Sequence, residues 1–443
     1  MVFESEKGNI SIAACADCLL SRPLSSYQEP GFLRMVEILR GADASFLNLE
    51  QVIAKDEGWP DESKKGMPFA GNPRVLADLK WVGINLVSCA NNHSYDYGIE
   101  GVLSTIRYLD EAGLAHAGTG RTLGESRAPG YLDTAAGRVA LVAMATSTIT
   151  AGRAGEQRPD FRGRPGLNTL RTRLVSTVDQ KTFDQVRQIS DTTGYELIKE
   201  NERKFFPHMI PQDNERQFYY LNHRFVLSDR DWGTRYEVDE RDKEAILRSV
   251  GDARKQADWV LVSVHWHDHE GKTEEPPSFL KDFARNCIDH GADAFLGHGP
   301  HELCGIEVHK GRPIFYSLAN FACQLETVDF LPFEAYEELG LTQDDRPSAV
   351  YDARTRNDSV GWVAHREFWE GVFATVHFEG WRLKNVRLYP LDFGFKGPRT
   401  QRGRPIIPDE SVGNRILKYL AKLSAPFGTK IKIEKGIGLI EFE

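Results

Sequence analysis

At 443 residues, with 41% hydrophobic and 27% charged side chains, the chain has room for two or three average domains or one large α/β domain with insertions. A net charge of −9 excludes nucleic-acid binding through a general positive field and leaves open only a local basic groove for a peptide. The start, MVFESEKGNISIAA, lacks a basic region followed by an apolar core, and apolar runs such as VALVAMA at 139–145 are too short for a bilayer. The expectation is a cytoplasmic protein with neither nucleic acid nor membrane as partner.

In chain order, short apolar runs alternate with amphipathic stretches. ISIAAC (10–15), SFLNLE (45–50), NLVSC (85–89) and VALVAMAT (139–146) read as strands, with helix-like PRVLADLKWVG (73–83) and IEGVLSTIRYLDEAG (99–113) between them. The pattern resumes with a helix over 242–257, a strand WVLVSVHW (259–266), a helix over 278–291, and strands AFLGHG (294–299) and PIFYSLANF (313–321). The strands are continuously apolar, so both sheet faces are covered. A polar insert over 152–241 has the length of a lid or substrate-binding segment, and a second insert spans 327–368. Residues 369–443 supply a hairpin and a final helix that complete one domain covering 1–443. The six cysteines form no disulfide scaffold, and the Cys15–Cys18 pair reads as small buried thiols at a strand end.

Chemistry in open α/β sheets gathers at the carboxyl ends of strands. Here those ends offer Asp17, then Asn48 and Glu50, then Asn91, Asn92, His93 and Asp96. Two further ends offer His265, His267, Asp268, His269 and Glu270, and His298 and His301. A single such group is ordinary turn chemistry, whereas five ends in one chain point to a shared site. Imidazole, carboxylate and amide oxygen without organised thiolates suit one divalent ion drawn from Mn, Zn, Fe, Ni, Co or Ca.

The pieces AD (16–17), FLNLE (46–50), SCANNHSYDYG (88–98), RPGLN (164–168), VSVHW (262–266), GHGPH with FYSLANF (297–321) and LSAPFGT (423–429) stand in the order of a known family. The chain resembles the CapA (poly-γ-glutamate capsule biosynthesis) family of the calcineurin-like metallophosphatase superfamily. The resemblance implies a calcineurin-like metallophosphatase fold, a layered α/β/β/α sandwich with two irregular inserts. It implies Asn92 as a metal ligand and His93 as the histidine pointed at substrate. The superfamily's first metal needs a histidine two residues after Asp17, where Leu19 stands here, so one metal is expected, on Glu50, Asn92, His265 and His298. His267 and Gly299 also depart from the family pattern, as does His269. With Asp17 and His301 left over as bases, the expected chemistry is removal and return of an α-proton next to a polarised carbonyl. The resemblance extends to lasso-peptide epimerases of the MslH type, a branch that inverts the C-terminal residue, an aromatic tryptophan, of a ribosomally made precursor peptide with a small leader-peptide-binding protein as partner. In this reading Asp17, His301 and His93 are catalytic, and His267, His269, Asp96 and Asn48 contact substrate. The alternative is a metal-dependent phosphoesterase or amide hydrolase of the CapA type.

Overall fold

A computed structural model describes residues 8–62 and 67–442. The first seven residues of the stretch read as lacking a secretory signal, and Glu443, lie outside the described residues. Two large sheets face each other. In the first, parallel strands Ile10–Leu19, Ala44–Leu49, Leu86–Ser88 and Ala115–Ala117 run outward in that order. The antiparallel hairpin Glu370–Glu379/Arg382–Asp392 extends the sheet from the other side of Ile10–Leu19. The second sheet is built on parallel strands Gly137–Ala145, Trp259–His265, Ala294–His298 and Arg312–Phe315.

Strand alternation sorts the apolar side chains into layers. Ile12, Ala14, Phe46 and Leu86 point to the space between the sheets, where they meet Leu141, Trp259, Leu296 and Phe315 of the other sheet. Ala13, Cys15, Leu47 and Val87, one residue out of phase, pack against helices Pro30–Arg40 and Arg74–Val82. Helices Glu240–Arg254 and Ser278–Asp289 cover the outer face of the second sheet. The result is the α/β/β/α sandwich of the calcineurin-like metallophosphatases. All six cysteines are buried free thiols, and burial pushes the Cys15 and Cys18 thiols up, in keeping with small buried thiols at a strand end.

Two segments differ from the sequence reading. PIFYSLANF is not one strand: Arg312–Phe315 belongs to the second sheet, and Asn320–Cys323 pairs in parallel with Ile10–Leu19 in the first. The chain changes sheets at Ala319, whose φ of 65° turns the backbone where a straight strand cannot go. The 152–241 stretch is ordered, with a four-stranded sheet (Thr172–Val178, Gln217–Tyr220, His223–Leu227, Gly233–Val238) and helices Gln180–Thr192 and Tyr195–Phe205. The 327–368 stretch holds two short helices, Phe333–Glu337 and Pro347–Thr355, and 3-10 turns.

Candidate metal centre

Strand register builds the site. In the first sheet Asp17 is flanked by Asn48 on one neighbour and Asn320 on the other, and Asn48 in turn pairs with Ser88. In the second sheet His265 lies directly beside His298. These rows are the carboxyl ends of parallel strands in both sheets, so the donors converge across the inter-sheet core. Three overlapping groups result, each with ligand atoms within 4.8 Å of one another: Asp17/His265/His298, Glu50/His265/His267 and Asp17/Glu50/His301.

The geometry fits a divalent ion. His298 Nδ1 lies 3.0 Å from His265 Nδ1 and 3.2 Å from Asp17 Oδ1, and His265 Nδ1 is 3.6 Å from the same oxygen. His265 Nε2 is 3.1 Å from His267 Nε2 and 3.6 Å from Glu50 Oε1, while His301 Nε2 lies 3.5 Å from that oxygen. Ligand atoms about 2.1 Å from a shared ion in a tetrahedron stand roughly 3.4 Å apart, and these separations bracket that value. Two carboxylates among four imidazoles supply hard and borderline donors suited to a first-row divalent ion. Burial pushes His265 down to about 3 and lowers His267 and His301, so these rings present neutral nitrogens, the form that binds metal.

Around the donors sits an orienting layer. Asn48 is fully buried, donates to Asp17 Oδ1 at 2.7 Å and lies 3.4 Å from His265 Nδ1. Read as a substrate contact, it is instead part of the floor, held away from any surface. Asp96, also read as a substrate contact, is fully buried; its Oδ2 accepts from Phe69 N and lies 2.5 Å from His93 Nδ1. It fixes the His93 ring and leaves Nε2 without a hydrogen-bond partner among the described residues, with the side chain 17% exposed. Asn91 bonds Leu49 O and accepts from His93 N, which ties the NNH turn to the neighbouring strand. His267 moves from expected substrate contact to candidate donor. His269 lies outside the donor groups, its ring tilted 59° to Trp266 with centroids 5.6 Å apart and its Nδ1 buried and unbonded. Asn92 is half-buried and belongs to none of the three groups, which take their ligands from His, Cys, Asp and Glu.

Asp17 differs most from its expected role as a free base. It is fully buried, and its Oδ2 accepts the Gly299 N–H at 2.8 Å. Burial disfavours its charge, but hydrogen bonds and charge interactions with His265 and His298 outweigh that and hold the carboxyl well below its ordinary range. A carboxylate so stabilised is a weak base and a good ligand. The same contact explains Gly299: at φ 119° a Cβ there would stand 2.3 Å from Trp266 O, so a side chain is excluded and the N–H is aimed at Asp17. Leu19 is a buried strand residue, as its apolar side chain dictates. His301, at φ 59°, places Nδ1 2.8 Å from Asn320 Oδ1 and packs against Phe368 of the second insert, with 19% of its side chain exposed. Asn320 and Ser263, whose hydroxyl is 2.7 Å from His298 Nε2, were not singled out from sequence. Asn320 lay inside the FYSLANF block, where its role depends on the unforeseen change of sheet.

Residues 11–325 match the family described as "Bacterial capsule synthesis protein PGA_cap". The chain belongs to the bacterial capsule synthesis protein (PGA_cap) family. It is 35% identical to the uncharacterized protein y4sH of Sinorhizobium fredii over 97% of this chain and 92% of that one. It is 23% identical to the PGA biosynthesis protein CapA of Bacillus subtilis over 64% of this chain and 54% of that one. A hypothetical protein from Thermus thermophilus aligns in structure over 86% of this chain and 99% of its own at 14% identity, with a TM-score of 0.38, too low to bear on function. The PGA_cap assignment, the sandwich and the donor cluster together make this a metallophosphatase-like chain with a divalent-ion site. No helix among the described residues is long and apolar enough to cross a membrane.

Proposed function

We propose that the chain is a metal-dependent enzyme that epimerises the C-terminal residue, an aromatic one such as tryptophan, of a lasso-type precursor peptide delivered with a small leader-binding protein. The observation that carries this reading is the pair of partly exposed imidazoles beside the buried cluster, His93 pinned by Asp96 and His301 pinned by Asn320. Asp17, His265 and His298 would hold the ion, His265 through the Nδ1 that faces the other two, with Glu50 and His267 on the Nε2 side of its ring; a bound ion would supply Lewis acidity toward the substrate carbonyl oxygen. His93 Nε2, its Nδ1 fixed on Asp96, takes the α-proton and becomes the imidazolium, while His301, which enters this half-reaction carrying a proton on Nε2, gives it up from the opposite face and ends as the neutral ring that burial favours. Asp17 keeps its charge and orients the imidazoles around it. Asn320 and Asn48 hold His301 and Asp17 without ionising.

A second reading, hydrolysis of a phosphate ester or amide, is favoured by the overlap of the three donor groups, since two ions clamping attacking and leaving oxygens is the usual hydrolytic arrangement. Incubation of the metal-loaded enzyme with a precursor peptide in D2O separates the two. Epimerisation adds one deuteron at the α-carbon of the C-terminal residue and leaves the chain intact; cleavage with no deuterium at that carbon overturns it.

A further inference from the structure

The insert carries a second pocket, outside the donor cluster. Its cavity of about 450 Å³ is lined by Arg153, Arg171, Arg173 and Arg224 against two carboxylates, Glu237 and Asp239. That volume falls within the range of ligand sites. Two of the arginines are already used: Arg171 bonds Asp242 at 3.0 Å and lies 3.1 Å from Asp239, and Arg224 donates to Glu237 at 2.7 Å. Arg153 and Arg173 have no hydrogen bond or ion pair from their guanidinium groups among the described residues, and Arg224 Nε is buried without a partner. The wall therefore has surplus positive charge and surplus N–H donors in a chain whose net charge is −9. Burial, reinforced by the neighbouring Arg171, lowers Arg153 from its ordinary value, so a bound anion would relieve repulsion already present.

The pocket is tied to the catalytic loop. Thr172, in its lining, donates to Asp268 Oδ1 at 2.8 Å, and Asp268 stands between His267 and His269. That bond fixes one edge of the pocket against the segment that carries His267. A guanidinium fork matches a carboxylate in two hydrogen bonds.

We propose that the Arg153–Arg173 pocket is a subsite for an acidic side chain of the peptide substrate, upstream of the residue that reacts. This rests on the peptide reading above, and its test is a binding measurement that needs no turnover. Fluorescein-labelled Ala-Glu-Ala-Glu-Ala and its glutamine counterpart are titrated with metal-loaded protein by fluorescence polarisation, with inorganic phosphate as competitor. The glutamate peptide is expected to bind, to weaken as salt rises, and to bind about tenfold or more less tightly to Arg153→Gln/Arg173→Gln, the size of one or two charged hydrogen bonds. The glutamine peptide is expected not to bind. Metal content and thermal midpoint of the variant should match the wild type, since neither side chain holds another residue. Equal binding of both peptides, equal binding by the variant, or binding of phosphate alone overturns the subsite. An epimerisation failure with glutamate-peptide binding intact would remove the reaction assignment and leave the pocket standing.

Discussion

The sandwich and the insert solve the burial of charge in opposite ways. In the sandwich, Asp17, Glu50, His265 and His298 are almost wholly inaccessible, and their neighbours are other donors and orienting amides on adjacent strands. Imidazole nitrogens approach the two carboxylates at 3.2–3.6 Å, a mixed donor set that a divalent cation complements. In the insert, the buried Lys199 is neutralised internally. Lys199, 4% exposed, meets Asp213 at 2.8 Å, Glu196 at 2.7 Å and Tyr219 O at 2.7 Å, beside a small apolar cluster that includes the Phe183–Phe218 contact. Backbone register positions the first set and ion pairs position the second, so the two regions should fail under different insults.

The sharpest way to separate them is at His93. His93→Gln should leave metal content and thermal midpoint unchanged while turnover falls ~10²–10⁴-fold, the usual contribution of one general base. Asp96→Asn should fall in the same direction by less, with rate assayed across pH to show loss of ring orientation. A His93 variant that loses metal would move this residue into the donor set.

Lys199→Ala removes one partner of a buried pair and should cost the insert about 3–5 kcal/mol. Hydrogen exchange should speed up across 172–238, while amides of the sandwich strands and the bound metal stay as in wild type. Uniform acceleration in both regions would show that they unfold together.

Gly299→Ala forces a Cβ toward Trp266 O at a left-handed position, costing about 1–3 kcal/mol, and shifts the N–H from Asp17. A lower thermal midpoint and a metal affinity reduced by about 10- to 100-fold are expected, the latter the usual cost of losing an orienting contact. An unchanged affinity would detach Gly299 from the site.

The smallest effect is acid sensitivity of the insert. Burial raises the Asp242 and Asp213 carboxyls, but hydrogen bonds from Arg171, and from Lys199 and Arg203, outweigh it and lower both. Folded values below the unfolded ~3.9 mean their contribution is complete above that pH and is lost as pH falls through the folded values. Limited proteolysis should therefore cut within 172–238 more readily at pH 3 than at pH 6. Equal cutting at both would contradict this.

The sandwich was largely legible because its strands are apolar runs and its donors follow them directly: Glu50 ends FLNLE, and His265 and His298 end VSVH and AFLGH. The helix Pro30–Arg40 escaped notice although PGFLRMVEILR has proline at its start and buries Phe32, Met35, Val36 and Leu39 on one face. What sequence could not supply was direction. Asn48 and Asp96 are polar residues at strand ends and turns, and only tertiary packing decides that they face inward to Asp17 and His93. Asp17 likewise changed from base to ligand because Gly299 and the His265/His298 pair, distant in sequence, close around it. The insert's helices Gln180–Thr192 and Tyr195–Phe205 are amphipathic but carry few apolar residues, so a periodic signal was present and the polar composition made the stretch read as a loop.

Strand register across the two sheets brings together buried donors for a divalent ion around His265. Elemental analysis of wild type and His265→Ala, each purified without chelator and checked for fold by circular dichroism, tests it directly. About one equivalent per chain is expected in the wild type and essentially none in the variant. One equivalent retained by the variant, or two held by the wild type, would contradict it.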